Sequence, residues 1–480
     1  MPTEDSDAMP VQGEQAPIIR IDASPTKELF ITMLVRDLSL RDAIGDLVDN
    51  SVDAARMLLE KRDATVKEDA EVLLSEFDYE ALKVTITANP QEFIIEDNCG
   101  GMTVETARNY AFRFGRSSKA DKTPGSLGQF GIGMKRALFK LGNNFSIVSR
   151  TRTNAFTLNV DVNEWAEQTD WKFTMSDYDE DAPPVAAGEQ GTRISITNLL
   201  PDVAGQFGNP KFITNLSVEI ENENVYNIQK GLTIGVNGQR LSARPLEILT
   251  SPDFTSGYFE QSIPIMDKMG KDVEVSVRYI VGVGDPVLAD GGWYIFCNDR
   301  LVTGTGPDQS PVSGWTGRQS DGGPIYHDQY ERFRGYVFIS SVDASLLPWN
   351  TTKNSMDMDS KLYQGIRAKM IEMMRPVISF LNNLKKEREA DNPEENRPLH
   401  DRIAKTKVVA LSTINKDSPQ IAAQFEAPKE QMAKQKKSQQ VIRYEESKTR
   451  IDRVKKVLNV NTLPEVGQRT FEYFYENEVQ

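Results

Sequence analysis

Four short polar side chains, Asp46, Asp49, Asn50 and Asp53, recur at i, i+3, i+4 and i+7 within SLRDAIGDLVDNSVDAARMLLE (39–60). On a helix turning about 100° per residue they share one arc, while Ile44, Leu47, Val48, Val52, Ala55, Leu58 and Leu59 take the opposite one. Exposed helix faces favour Lys, Glu, Arg and Gln; Asp and Asn are poor helix formers, so their concentration here needs another reason. Short acids and an amide projecting into one cleft are what a magnesium ion with its water shell requires. The competing reading is a solvated face on an amphipathic helix.

Two further stretches carry chemistry. Gly128, Gly131 and Gly133 precede a predicted helix, Ile132 to Leu141, and amides at a glycine-rich helix start bind phosphate through aligned donors and the helix dipole. Neither common phosphate motif fits: Met134 follows Gly133, and Arg136 stands both where the P-loop needs a hydroxyl and where the dinucleotide pattern needs its last glycine. Upstream, FGRSSKADKTPGSLGQFG (114–131) has the composition of a mobile loop, in which Ser117, Ser118 and Lys119 either contact phosphate or are solvated. Asp97 closes a strand-like run just before Asn98-Cys99-Gly100-Gly101-Met102. A carboxylate there can accept from an exocyclic amine, and two glycines let backbone approach a flat ligand; an ordinary turn is the plainer alternative.

The elements that must position these groups are legible. Ser39 and Asp42 mark the start of the acidic helix. KVTITA (83–88) and EFIIED (92–97) alternate like strands joined around Asn89-Pro90, and Thr103 caps a short helix to Arg113. Four strand-like runs follow: FSIVSRT (145–151), AFTLNVD (155–161), WKFTMSDY (171–178) and TRISITNL (192–199). Near Pro201 the character changes, and a second domain is expected to about residue 355. Its strands are LTIGVNG (232–238), VEVSVRYIVGV (273–283), WYIFCNDRLV (293–302) and RGYVFISSV (334–342), with a Gly- and Ser-rich loop at 304–324. Residues 361–389 read as a helix, followed by Pro393 and Pro398 breaks and long polar helices.

In order, DLVDNSVDA, IIEDNCGGM, FGRSSK, LGQFGIGMK and GTRISITNL resemble the motif series of the GHKL ATP-binding superfamily, which includes gyrase B, the ninety-kilodalton heat-shock chaperones, histidine kinases and MutL. FGRSSK and the following GxGMK are most similar to the Microrchidia (MORC) branch, and GQFGIG to the chaperones. The resemblance is strong over about 25–200 and weak over 200–355. It implies an α+β fold: a flexible arm (1–25), a Bergerat-fold sandwich that binds ATP (26–203), an S5-like transducer (204–357) and a helical C-terminal region (358–480).

The resemblance also assigns roles. Asp97, with Gly101 and Met102, would hold adenine, helped by Thr192; Asn50 would bind Mg2+, with Asp53 beside the nucleotide. Ser117, Ser118, Lys119, Gly128, Gln129, Phe130, Gly131, Ile132, Gly133, Met134 and Lys135 would surround the phosphates. LPWNTTKNSMD (347–357) looks like the transducer loop, so Lys353 would contact the γ-phosphate. The family's water-activating Glu, four positions before the Asn, is here Asp46. One methylene less, a displacement of roughly 1 Å, can cost on the order of 100-fold, so hydrolysis is expected to be slow, with Asp49 as alternative. The family pattern D-x-G-x-G is broken by Cys99 at its first glycine.

Bulk properties narrow the class. A chain of 480 residues, 39% hydrophobic and 26% charged, suggests about three globular domains. No run approaches ~18 apolar residues, and the acidic MPTEDSDAMP lacks a targeting region, so a cytoplasmic protein without a membrane is expected. Two cysteines and two histidines make a disulfide framework or structural zinc improbable. A net charge of −14 opposes non-specific nucleic-acid binding. The segment 429–456, with ten Lys/Arg against four Asp/Glu, is still a candidate DNA surface, or else a solvated helical face. The expected function is an ATP-gated homodimeric clamp in DNA processing or defence against foreign DNA; the alternative is a chaperone-like remodelling ATPase with protein partners. A histidine-kinase reading of His400 is set aside, because the box lies after the ATP domain.

Overall fold

The computed structural model describes residues 26–64, 79–113, 132–252, 254–267, 270–287, 290–304, 327–350, 352–389, 398–427, 443 and 445–479. The chain divides into two units, Met1–Pro428 and Lys429–Gln480.

In the first unit, α1 (Lys27–Arg36) is capped by Thr26, whose hydroxyl accepts from the Leu29 amide at 3.2 Å. The acidic helix α2 (Leu40–Ala64) begins behind Ser39. The Ser39 Oγ accepts from the Asp42 amide at 3.0 Å and donates to the Asp42 carboxylate at 2.7 Å, so the carboxylate meets the hydroxyl rather than a backbone amide. Next come β1 (Lys83–Ala88), β2 (Glu92–Asp97) and a helical turn α3 (Val104–Thr106) that loosens into a π-helical turn, Ala107–Ala111. Then follow α4 (Gly133–Leu141), β3 (Gly142–Arg150), β4 (Ala155–Asp161), α5 (Val162–Glu167), β5 (Asp177–Asp179) and β6 (Gly191–Leu199). Three helices, α6 (Pro201–Phe207), α7 (Pro210–Glu223) and α8 (Val225–Gln229), lead to β7 (Thr233–Val236) and β8 (Gln239–Arg240).

These strands form one sheet in the order β5-β4-β3-β6-β2-β1-β7-β8, antiparallel except where β7 runs parallel to β1. β1 alternates strictly between exposed and buried, the signature of a sheet covered on one face. The buried set, including Val84, Ile86, Phe93 and Ile95, shares a core with Ile44, Leu47, Val48 and Val52 of α2 and with Ala137, Leu138 and Leu141 of α4. The result is a helix-on-sheet sandwich whose packed face is the apolar arc of α2.

Two expectations are corrected here. LTIGVNG belongs to this sheet, not to the second domain: Leu232, Ile234 and Val236 are buried in its core, and Ile86 stands opposite Val236. WKFTMSDY gives β5 only its last two residues, Asp177 and Tyr178, while its first half is held by aromatic packing instead of a ladder; Phe173 lies 5.2 Å from Trp165 between ring centroids.

The second sheet runs β13-β12-β14-β11-β10-β16, built from β10 (Ser256–Met266), β11 (Asp272–Val283), β12 (Gly292–Cys297), β13 (Arg300–Thr303), β14 (Phe333–Ser341) and β16 (Ile421–Ala422). Both its faces are covered. Val277, Val281, Ile295, Val337 and Ile339 share a core with Met370, Met374, Val377 and Leu381 of α9 (Lys361–Arg388), whereas Ile280, Phe296 and Phe338 cluster with Val225 and Tyr226 of α8. The expected strand WYIFCNDRLV is two strands, since Asn298 and Asp299 both adopt positive φ, 46° and 67°, and turn the chain back on itself.

The expected helical region after residue 358 is interrupted. Past α10 (Pro398–Ile403), β15 (Lys407–Ala410) pairs antiparallel with β9 (Glu247–Thr250), and β16 pairs with β10. Leu411, Ile414 and Phe425 become buried there, so the second sheet takes this segment into its core. The second unit holds α11 (Lys448–Leu458), closed by Asn459 at φ 52°, and α12 (Leu463–Glu478), opened by a Thr462/Glu465 capping box. No helix among the described residues is long and apolar enough to cross a membrane.

Candidate functional site

The acidic arc of α2 does not face bulk water. Asp46, Asp49 and Asp53 are all buried, and Asp46 and Asp49 meet cations brought by distant parts of the chain. Lys353 donates to Asp46 Oδ1 at 3.0 Å and to Asp49 Oδ2 at 2.5 Å. Arg300, the first residue of β13, bonds the other oxygen of Asp49 and reaches Glu223 at 2.7 Å. Arg136, from α4, donates to Asp46 Oδ2 at 3.1 Å. Asp53 adds its charge to a cluster around buried Arg56, which also contains Tyr79 and Asp299.

The charges set the proton affinities. Burial would raise the Asp46 carboxyl, but the Lys353 ammonium and the Arg136 guanidinium together hold it below its ordinary value. For Lys353 burial acts downward and is overcome by Asp49 and Asp46, so the ammonium is held above its ordinary value. Burial pushes Glu223 up to about 8, against the pull of Arg300.

A short loop delivers Lys353. Trp349 and Met356 bridge its ends, the Asn350 amide donates to the Ser355 carbonyl at 2.9 Å, and the Asn350 side chain accepts from the Asn354 amide at 3.0 Å. Lys353 itself sits at φ 58°, a left-handed conformation that costs a non-glycine residue about 1–2 kcal/mol. The surrounding hydrogen bonds and the two carboxylates impose it.

Between the acids, the buried Nδ2 of Asn50 has no hydrogen-bond partner among the described residues. Beside it, α4 begins without a side-chain cap, since Ile132 supplies none. A Cβ at Gly133 would stand 3.0 Å from the Asp46 carboxylate, so glycine is what lets the start of α4 approach the acids. An amide side chain without a partner, an uncapped helix start and clustered cations are together suited to a polyanion.

The other end of the site is a hydrogen-bonded floor. Asp97 accepts from the Ser51 hydroxyl at 2.8 Å, the Cys99 amide at 2.9 Å and the Thr192 amide at 3.2 Å. Burial nonetheless pushes its carboxyl above the ordinary value, against those three donors. The Met102 amide donates to Ser149 Oγ at 2.8 Å, and Ser149 and Thr192 exchange a hydroxyl bond at 3.0 Å. Gly101, at φ 65°, cannot be replaced in place: a Cβ would lie 2.3 Å from the Arg150 carbonyl oxygen. Cys99, at the position of the first glycine in the motif, needs no positive φ, because Gly100 (94°) and Gly101 make the turn.

Asp46, Asp49, Asn50, Gly133 and Lys353 thus surround one spot, and Asp97, Gly101, Met102 and Thr192 build the floor. Lys135 does not join them: it is buried and donates to the Ala111 carbonyl at 2.8 Å. Ile132 and Met134 flank Gly133 and are partly buried. Ser117, Ser118, Lys119, Gly128, Gln129, Phe130 and Gly131 lie outside the described residues. Sequence reasoning missed Ser51, Ser149, Arg136, Arg300 and Glu223. Ser51 adjoins Asn50 and Arg136 ends the GxGMKR run, so both had a local signal. Arg300 had none, being 251 residues from its carboxylate.

Residues 38–192 match the family model of the histidine kinase-, DNA gyrase B-, and HSP90-like ATPases. No curated protein matches the chain. Over these residues the chain is similar to the GHKL-type ATPase domain.

Proposed function

We propose that the protein is a magnesium-dependent ATP switch whose second sheet is the transducer and whose closure is gated by the terminal phosphate. The observation that carries this reading is Lys353: it leaves the second-sheet region and ends on Asp46 and Asp49 of the ATPase helix. A cation held there by two carboxylates has somewhere better to go once a γ-phosphate competes for it, and the exchange would alter how the loop is held.

The residues present fit the implied group. Among the described residues no three acidic, His or Cys groups are arranged to hold a metal ion, so a magnesium ion would take Asn50, water and phosphate oxygens as ligands. When bound, that ion would neutralise charge on the phosphates. Asp97, fixed by Ser51, Cys99 and Thr192, would present carboxylate to an exocyclic amine. Asp46 would orient the attacking water, but it is one methylene shorter than the family's Glu, and slow turnover follows from that. Before a phosphate arrives both its oxygens carry cations.

By analogy with MORC and MutL, closure would drive homodimerisation in a DNA-processing or defence role. Arg443 and, from α11, Lys448, Arg450, Arg453, Lys455 and Lys456 are the described cations of the candidate DNA surface, while most of 429–444 lies outside the described residues. Sizing the protein with and without a non-hydrolysable ATP analogue and magnesium tests the switch: a shift to dimer supports it, and an unchanged size rejects gating. Salt-dependent DNA binding would favour the clamp, and suppression of client aggregation without DNA affinity the chaperone alternative.

A further inference from the structure

Arg136 is unaccounted for by the motif series. It lies in the first turn of α4, with its amide bonded to the Ile132 carbonyl at 2.9 Å. Its side chain is mostly buried; Nη2 donates to Asp46 Oδ2 at 3.1 Å, while the buried Nε has no hydrogen-bond partner among the described residues. Lys353 occupies the other oxygen of the same carboxylate. Two cations therefore converge on Asp46 from different elements, one from the phosphate-binding helix and one from the second-sheet region.

A salt bridge tying α4 to α2 is the simplest account, yet it leaves the convergence of two cations on one carboxylate unexplained. Arg136 and Lys353 both bond Asp46, Lys353 and Arg300 both bond Asp49, and Glu223 is a further carboxyl on Arg300. Arg136 and Lys353 thus meet on the carboxylate that a Cβ at Gly133 would touch, at the uncapped start of α4, where an anion would be stabilised. A guanidinium also offers a planar fork suited to phosphate oxygens, which an ammonium does not.

We propose that Arg136 is the ATPase-domain half of a two-cation γ-phosphate clamp, with Lys353 as the other half and Asp46 as the carboxylate that holds both until the phosphate arrives. The inference rests on the nucleotide reading above. It adds a second consequence: as Arg136 and Lys353 transfer to phosphate, Asp46 loses the partners that depress its proton affinity and becomes a better base. The clamp thus distinguishes triphosphate from diphosphate and primes the carboxylate in the same exchange.

The test is calorimetry of the full chain with magnesium, titrating ADP and a non-hydrolysable ATP analogue into wild type, Arg136→Met and Arg136→Lys. Wild type should prefer the triphosphate. Arg136→Met should weaken triphosphate binding by roughly 10- to 100-fold, the worth of a charged hydrogen bond, while leaving ADP within about twofold. Arg136→Lys, which keeps the charge and can keep the Asp46 pair, should fall between them. ADP binding serves as the internal check on folding, and if Arg136→Met does not fold, the Lys variant alone decides by its loss of triphosphate preference. Unchanged preference in the variants, or equal weakening of both nucleotides, overturns the clamp alone. Absence of nucleotide binding by folded wild type removes the nucleotide reading and the clamp with it.

Discussion

Arg56 of α2 donates from Nη2 to the Asn298 carbonyl at 2.6 Å, across 242 residues of sequence. Asn298 begins the two-residue turn between β12 and β13, and the residue after that turn is Arg300, bonded to Asp49. One hairpin of the second sheet is thus fastened to α2 at two places, in its turn and just after it. The apolar core runs through the same junction, from Ile44 and Leu47 to Val277 and Met374.

Removing Arg300 should be costly, because Asp49 and Glu223 would stay buried without their shared cation. For Arg300→Met we expect a loss of about 3–5 kcal/mol in denaturant unfolding. Combining it with Asp49→Asn should recover part of that loss. A single variant as stable as wild type would show that the hairpin contact does not hold the regions together.

Asp97→Asn should separate recognition of the base from recognition of phosphate. The side chain keeps its shape against Ser51, Cys99 and Thr192, so the fold should persist. ADP and triphosphate affinity should fall together, by roughly 10-fold or more if a charged hydrogen bond is lost. Because burial holds the Asp97 carboxyl above its ordinary value, the folded state grips the proton more tightly than the unfolded chain. Its contribution to stability therefore falls as pH rises through that raised value, and the Asn variant should lack this slope.

Asp46→Ala should stop phosphate release while nucleotide still binds. The carboxyl, held below its ordinary value, is ionised throughout the neutral range. Its ion pairs contribute stability above the ordinary carboxylate range, and that contribution is lost as pH falls through the depressed value. An unchanged single-turnover rate in Asp46→Ala would transfer the water-orienting role to Asp49.

Glu223→Gln should flatten the pH dependence of stability. The carboxyl rises from 4.5 to about 8 on burial, with Arg300 opposing and Asp49, Glu219 and Asp42 adding to the rise. Between those values the folded state retains a proton that the unfolded chain has released, so stability declines with rising pH, by at most about 1.4 kcal/mol per unit. Melting at about pH 6 and about pH 8.5 should separate wild type from the Gln variant most at the alkaline end. Parallel curves for the two proteins would mean that Glu223 titrates like an exposed carboxylate.

Much of the ATPase fold was legible because it is written in local periods. The helix from Ser39, the alternation in β1 and β4, and the glycine run before α4 each declare themselves within a few residues. Strand membership was less legible. LTIGVNG has the pattern of a strand, but pattern does not say which sheet will bury Ile234, and the parallel pairing with β1 is a long-range choice. The segment after α10 lacked a strong period and took its strands from the edges of sheets already present.

By itself the sequence determined the kinds of side chain available on α2 and their common arc, because helical spacing depends only on the chain. Only the tertiary structure decided that this arc is buried against Lys353, Arg300 and Arg136, and that the Asn50 amide nitrogen finds no partner among the described residues. Charge pairing acts over a few ångströms of space and is indifferent to the 90 to 307 residues between these partners, so no local pattern could announce it.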